Sequence, residues 1–169
     1  MLAFAVSFDG PIAIRYPRGS AHQGLREYQA PVEYGRSEII RKGKKIAVLG
    51  VGSMIPSCME ICKGLKDDGY DPTFVNARFV KPLDVDLLDE LAKDHSLFVT
   101  VEENVKSGGY GEHVSAYMEA CHPEIRVLSA AVWDRFVPQG NVESLRSRIG
   151  LGVEDIRQAI EDSEELSCL

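Results

Sequence analysis

No run of apolar residues in this 169-residue chain approaches the roughly 20 needed to cross a bilayer. The opening MLAFAVSFDG lacks a basic n-region and meets Asp9 early, which argues against a secretory signal. Basic charge is also short. Lys and Arg number 19 against 26 Asp and Glu, a net charge of −7, so neither nucleic acid nor an anionic membrane is an expected partner. Cysteine is sparse and scattered, at positions 58, 62, 121 and 168. That excludes a dense disulfide framework and points to reduced thiols in a cytosolic protein. His22, His95, His113 and His122 fall in no zinc or triad spacing, and Ser53 lacks the Gly-x-Ser-x-Gly elbow of a hydrolase.

What is present is a rhythm of strands and helices. Ile46–Leu49 reads as a buried strand. Pro56 suits the first turn of a helix in which Cys58, Ile61, Cys62 and Leu65 recur at helical spacing, and Gly69 ends it. Thr73–Phe79 is the next strand, after which Asp84 caps a helix with Leu87, Leu88 and Leu91 on one face. Leu97–Val101 is a third strand, followed by Gly108-Gly109-Tyr110-Gly111 and a helix carrying Val114, Tyr117, Met118 and Cys121. Val127–Val132 is a fourth strand. Asn141 caps a helix with Val142, Leu145 and Ile149 inward, and an acidic helix runs from about Val153 to Glu165. Glu38–Arg41 and Lys45–Leu49, on either side of Lys42-Gly43-Lys44, read as a hairpin that adds an antiparallel edge strand. The expected fold is therefore a three-layer α/β/α domain with a mostly parallel five-stranded sheet. The first 35 residues break the rhythm: GPIAIRYPRG is a strand-like run, and a polar crossing follows. They read as the end of a preceding domain plus a linker.

The turn at Gly50-Val51-Gly52 raises the possibility of a dinucleotide site. The fingerprint also needs a third glycine and an acidic residue about 20 positions on. Ile55 stands in the first place and Asn76 near the second, and Pro56 narrows the approach. A tight strand-to-helix turn is the better reading, with a free-standing nucleotide-binding domain as the alternative. The helix opened by Gly108–Gly111 offers free N–H groups to an anion. Cys58 and Cys62 share a helix face without further ligands and read as core thiols. Glu102 and Glu103 are adjacent in a strand and point to opposite faces, so they form no acid/base pair; one is expected to be a buried hydrogen-bonding or interface residue. Arg15 and Arg18 bracket a Tyr-Pro corner, and their guanidinium forks suit either phosphate oxygens or an ion pair with a neighbouring domain.

Four blocks in order, GPIAIRYPRG, NARFVKPLD, VTVEEN with GGYG, and DRFVPQGNVESLR with GLG, resemble the C-terminal end of the 1-deoxy-D-xylulose-5-phosphate synthases, thiamine-diphosphate enzymes related to transketolase. The likeness covers nearly the whole chain. It implies a last strand of the pyrimidine-binding domain over residues 1–19, a linker over 20–36 and a transketolase C-terminal-like domain over 37–169. It also implies a reaction in which pyruvate loses CO2 and its two-carbon unit joins glyceraldehyde 3-phosphate, feeding isoprenoid, thiamine and pyridoxal synthesis. The thiamine diphosphate and Mg²⁺ of that reaction belong to a Gly-Asp-Gly…Asn motif and a glutamate of the first two domains; Gly-Asp-Gly does not occur in this chain. The resemblance therefore implies no cofactor-binding, metal-binding or catalytic residue here. It assigns the phosphate of the aldehyde acceptor to Arg15, or second to Arg18. The partners it implies are the N-terminal domains of the same enzyme and a second copy in a cytoplasmic homodimer, with the isolated chain inactive.

Overall fold

Ile46 and Val48 face one side of a β-sheet and Ala47 and Leu49 the other, and both sides are covered. This is why the run shows no polar alternation: a strand buried on both faces is apolar throughout. The computed structural model describes residues 1–16, 22, 24–25, 27–28 and 30–163. Its five strands are β1 (Glu38–Arg41), β2 (Lys45–Gly50), β3 (Thr73–Asn76), β4 (His95–Val105) and β5 (Arg126–Val132). They lie in the order β1-β3-β2-β4-β5, parallel except for β1. Helices α2 (Ile55–Asp67) and α6 (Val153–Glu161) cover one face; α3 (Val85–Ala92) and α4 (Tyr110–Cys121) cover the other. Two short helices, α1 (Leu2–Ser7) and α5 (Val142–Arg148), lie outside these layers. The three-layer α/β/α architecture with one antiparallel edge strand is the expected one.

Cys58, Ile61, Cys62 and Leu65 are all buried beneath α2, and burial drives both thiols towards the neutral form, Cys62 up to about 12. They are core thiols. Leu88 and Leu91 of α3 and Val114 and Met118 of α4 form the opposite core with Phe98 and Val75. Asp84 caps α3 by accepting from the Leu87 N–H at 3.3 Å, and Asn141 caps α5 by accepting from the Glu143 N–H at 2.9 Å.

Several expectations are corrected. Glu38–Arg41 and Lys45–Leu49 do not form a hairpin: β1 pairs with β3, not β2. Both sides of β2 are taken by parallel partners, β3 and β4, so β1 can join only at the sheet's free edge. The Lys44 N–H bonds the Asp71 carbonyl at 2.6 Å, and Lys45 takes a positive φ of 67° to turn the chain into β2. Residues 11–16 form no strand, because no strand lies beside them and a strand exists only as a hydrogen-bonded pair; a helix, α1, precedes them instead. β3 stops at Asn76 rather than Phe79, where the Ala77 N–H turns to the Gly50 carbonyl at 2.9 Å. β4 runs longer than Leu97–Val101, because β2 and β5 pair with it at both ends. Val142 is exposed rather than inward, since α5 leans on the domain only partially, and Cys121 is exposed at the last residue of α4. The last helix ends at Glu161; residue 165 lies outside the described residues.

His95 is buried at the start of β4. Its Nδ1 donates to the Leu91 carbonyl at 2.8 Å, which leaves Nε2 to accept from the Thr73 hydroxyl at 2.7 Å. Thr73 Oγ1 accepts in turn from the Gly43 N–H at 2.9 Å. Burial lowers the pKa of this imidazole below its ordinary 6.5. The unfolded chain therefore gains a proton as the pH drops through about 6.5 while the folded chain resists it. This contribution to stability is complete above that pH and is lost below it. The urea midpoint should fall between about pH 7.5 and pH 5.5. His95→Gln should start lower but fall less over the same window; parallel profiles for the two proteins would remove His95 as the cause.

Candidate functional site

The winding of the sheet reverses at β2. From β2 the chain moves to β3 on one side, then returns to β4 on the other. In doubly wound folds the crevice beyond the carboxyl ends of such strands is where ligands bind. Here that crevice is filled by the protein's own groups. Met54 and Ile55, just past the Gly50–Gly52 turn, are buried. Ser53 donates to Glu103 at 2.7 Å, and Arg146 of α5 grips the same carboxylate with two N–H groups at 3.1 and 3.0 Å. Burial raises the pKa of Glu103, but the hydrogen bonds from Arg146 and Ser53 outweigh it and hold the group ionised.

The two glycines of this turn have structural duties. A Cβ on Gly50 would lie 2.7 Å from Cys58 Sγ and 3.0 Å from Ile55 Cδ1, so Gly50 lets α2 close onto β2. Gly52 has φ +56°, the left-handed turn into a 3-10 segment (Gly52–Met54). Pro56 removes one N–H from the helix end a phosphate would need. The turn is accounted for without a nucleotide.

At the second glycine cluster the expected anion is part of the chain. Glu102, 2% exposed, accepts from the Tyr110 N–H at 3.0 Å and from the Gly111 N–H at 2.8 Å. Its carboxylate thus occupies the positive end of α4. Gly108 donates its N–H to Glu112 of the same helix. The suggestion that Gly108–Gly111 receives a free anion is therefore corrected: Glu102 holds that place. Glu102 and Glu103 do face opposite ways, one into the fold and one out towards α5.

Of the two arginines singled out in the sequence, Arg15 is exposed at the end of the irregular segment 11–16, and Arg18 lies outside the described residues. What sequence reading missed is the loop between β3 and α3, the NARFVKPLD block. It receives the chain entering the domain. Arg78 pairs with Glu38 and donates to the carbonyls of Ala30 at 3.1 Å and Pro31 at 3.2 Å, while Asp84 accepts from the Ser37 N–H at 2.7 Å and from Arg36 at 2.9 Å. The signal was the block itself, with Asn76, Arg78, Lys81 and Asp84 gathered around Pro82. On the far side, an open groove has Asp89 accepting from both the Tyr117 hydroxyl and His122 Nε2 at 2.8 Å, which lowers the Asp89 pKa and ties α3 to the end of α4.

The family model described as "Transketolase, C-terminal domain" matches residues 35–156. The chain belongs to the transketolase C-terminal domain family. Curated relatives of this transketolase C-terminal domain include the 1-deoxy-D-xylulose-5-phosphate synthase of Lachnoclostridium phytofermentans, 41% identical over 157 residues, 92% of this chain and 25% of that protein. That of Nitrosomonas europaea is 39% identical over 163 residues, 96% of this chain and 26% of the relative. The chain thus spans about a quarter of the length of the relatives it matches. Among solved structures, a split-gene transketolase described as an inactive beta4 tetramer superposes with a TM-score of 0.74 at 29% identity, over 81% of this chain and 45% of that one. The transketolase of Campylobacter jejuni gives a TM-score of 0.54 at 18% identity, over 76% of this chain and 19% of that one, a likeness of fold alone.

Among the described residues no group of three or more His, Cys, Asp or Glu is placed to hold a metal ion. No helix among them is long and apolar enough to cross a membrane.

Proposed function

We propose that this chain is the C-terminal part of a 1-deoxy-D-xylulose-5-phosphate synthase, a thiamine-diphosphate- and Mg²⁺-dependent transferase. The complete enzyme joins pyruvate to glyceraldehyde 3-phosphate with loss of CO2, supplying isoprenoid, thiamine and pyridoxal synthesis. The observation that carries this reading is identity near 40% with synthases of that name along nearly the whole chain. In this reading residues 37–169 are the third domain and 1–36 lead into it from the preceding one. The chain alone is structural. Its sheet-end crevice is closed by Ser53, Glu103 and Arg146, and its second helix end by Glu102. The cofactor and metal belong to the enzyme's other domains, and the working unit is a cytoplasmic homodimer with active sites built across domains.

The one group this chain supplies to the substrate is a guanidinium, Arg15 in first place and Arg18 in second, for the phosphate of the aldehyde acceptor. A guanidinium–phosphate bond is charge-assisted and contributes roughly 1.5–3 kcal/mol. Arg15→Ala in the complete enzyme should therefore raise the KM for glyceraldehyde 3-phosphate roughly 10- to 100-fold. Pyruvate decarboxylation without acceptor should be unaffected. An unchanged KM for the acceptor would take Arg15 out of the site.

A further inference from the structure

The loop that follows β3 makes more contacts with the incoming chain than a connection needs. Glu38 and Arg78 form an ion pair whose side chains are only 8% and 12% exposed. Each also grips main chain: Glu38 Oε1 accepts from the Ala30 N–H at 3.2 Å, and Arg78 donates to the Ala30 and Pro31 carbonyls. Ala30 is thus bonded through both its N–H and its C=O by one buried pair. A buried charge pair is retained at a desolvation cost, and here its remaining hydrogen-bonding capacity is spent on a backbone far away in sequence.

Next to Arg78, Phe79 gathers the other end. Its ring meets Tyr34 edge-on at 5.9 Å and Phe4 at 5.8 Å, and Phe8 stacks on Tyr34 at 5.0 Å. Gly35, with φ +71°, passes so close to Pro82 that a Cβ there would sit 3.0 Å from the proline ring. Phe8 and Tyr34 therefore bring together the two stems that flank residues 9–33, among which Arg15 lies.

We propose that the β3–α3 loop is a dock for both stems of the 9–33 segment, and that Arg78 and Glu38 are positioning residues. Through the main chain of Ala30 and Pro31 they fix where that segment leaves the domain and so where Arg15 presents its guanidinium. The first half stands on the geometry alone. The link to substrate rests on the reading of Arg15 given above. The dock explains why the loop needs Arg rather than Lys at 78: only a forked donor reaches a carboxylate and two carbonyls together.

The test uses Arg78→Lys, which keeps the charge opposite Glu38 but loses the fork. Tyr34→Ala, an exposed stacking residue whose loss leaves the core intact, serves as a second variant should Arg78→Lys fail to fold. In this chain, amide hydrogen exchange should rise at least tenfold in the peptide carrying Ala30, whose N–H bonds Glu38, and stay unchanged in β2 and β4. Unchanged exchange in the Ala30 peptide in a folded variant overturns the dock. In the complete enzyme Arg78→Lys should raise the KM for glyceraldehyde 3-phosphate roughly fivefold with kcat within about twofold, the split expected when a binding group is misplaced rather than removed. Faster exchange with an unchanged KM, where Arg15→Ala does raise it, overturns the positioning role. If Arg15→Ala itself leaves KM unchanged, the reading of Arg15 fails, and faster exchange upholds the dock without it.

Discussion

Replacing Glu102 by alanine should lower the unfolding free energy of this chain by about 4 kcal/mol, a large share of the roughly 5–15 kcal/mol by which domains are stable. The carboxylate is buried and bonded to two N–H groups of the first turn of α4, at 3.0 and 2.8 Å. Hydrogen bonds to a charged group contribute roughly 1.5–3 kcal/mol each, and a donor left buried without a partner costs roughly 1–3 kcal/mol. The helix dipole adds under about 1 kcal/mol. Water cannot easily replace the carboxylate, because Gly109 and Tyr110 are buried with it. Glu102→Gln tests the assignment more finely: its amide retains one acceptor oxygen and turns an NH2 group towards the second N–H, so about half the loss should remain. Urea unfolding followed by circular dichroism reads both. A Glu102→Ala protein within about 1 kcal/mol of the parent would mean that the helix end finds another partner.

Gly111→Val should cost at least about 3 kcal/mol, for a steric reason. A Cβ at this position would lie 2.5 Å from Thr100 Oγ1 and 2.7 Å from Ser129 Oγ. Those hydroxyls sit on neighbouring strands and bond one another at 3.2 Å, so neither has a free direction to retreat. Helix propensity works the other way, since valine is favoured over glycine inside a helix by a few tenths of a kcal/mol. Overpacking of roughly 1–3 kcal/mol for the first methyl, and more for a branched side chain, exceeds that gain. Moving α4 outward to relieve the clash would also stretch its bonds to Glu102, so the two sites are coupled. Combining Gly111→Val with Thr100→Ala and Ser129→Ala should recover more than about 1 kcal/mol relative to the sum of the separate effects. Strict additivity would show that the hydroxyls are not the obstacle.

How much of this was legible in the sequence depends on the range of the interactions involved. The buried strand Ile46–Leu49, the Cys58–Leu65 stripe, and the caps Asp84 and Asn141 are set by neighbours a few residues away, and all were readable. The pairing of β1 was not. Lys42-Gly43-Lys44 looks like a hairpin turn locally, but β2 is already flanked by β3 and β4, and that competition is invisible until the sheet is assembled. GPIAIRYPRG has the composition of a strand, but its described part, residues 10–16, has no strand beside it among the described residues, so no ladder forms there. Glu102 and Glu103 were separated correctly by the two-residue period, yet what Glu102 does depends on a helix starting eight residues later. The NARFVKPLD loop was recognisable as a block of a family but not as a receptacle, because Glu38, Ala30 and Phe4 reach it from up to 75 positions away.

The carboxylate seated at the start of α4 has a consequence for how the domain responds to its surroundings. Where a free phosphate satisfies a helix end, the protein is stabilised by mass action, and its stability rises and falls with the metabolite's concentration. Here the anion is tethered to the neighbouring strand, nine residues from the last N–H it serves. Its occupancy is set by chain geometry, and no metabolite need be bound for α4 to hold its place.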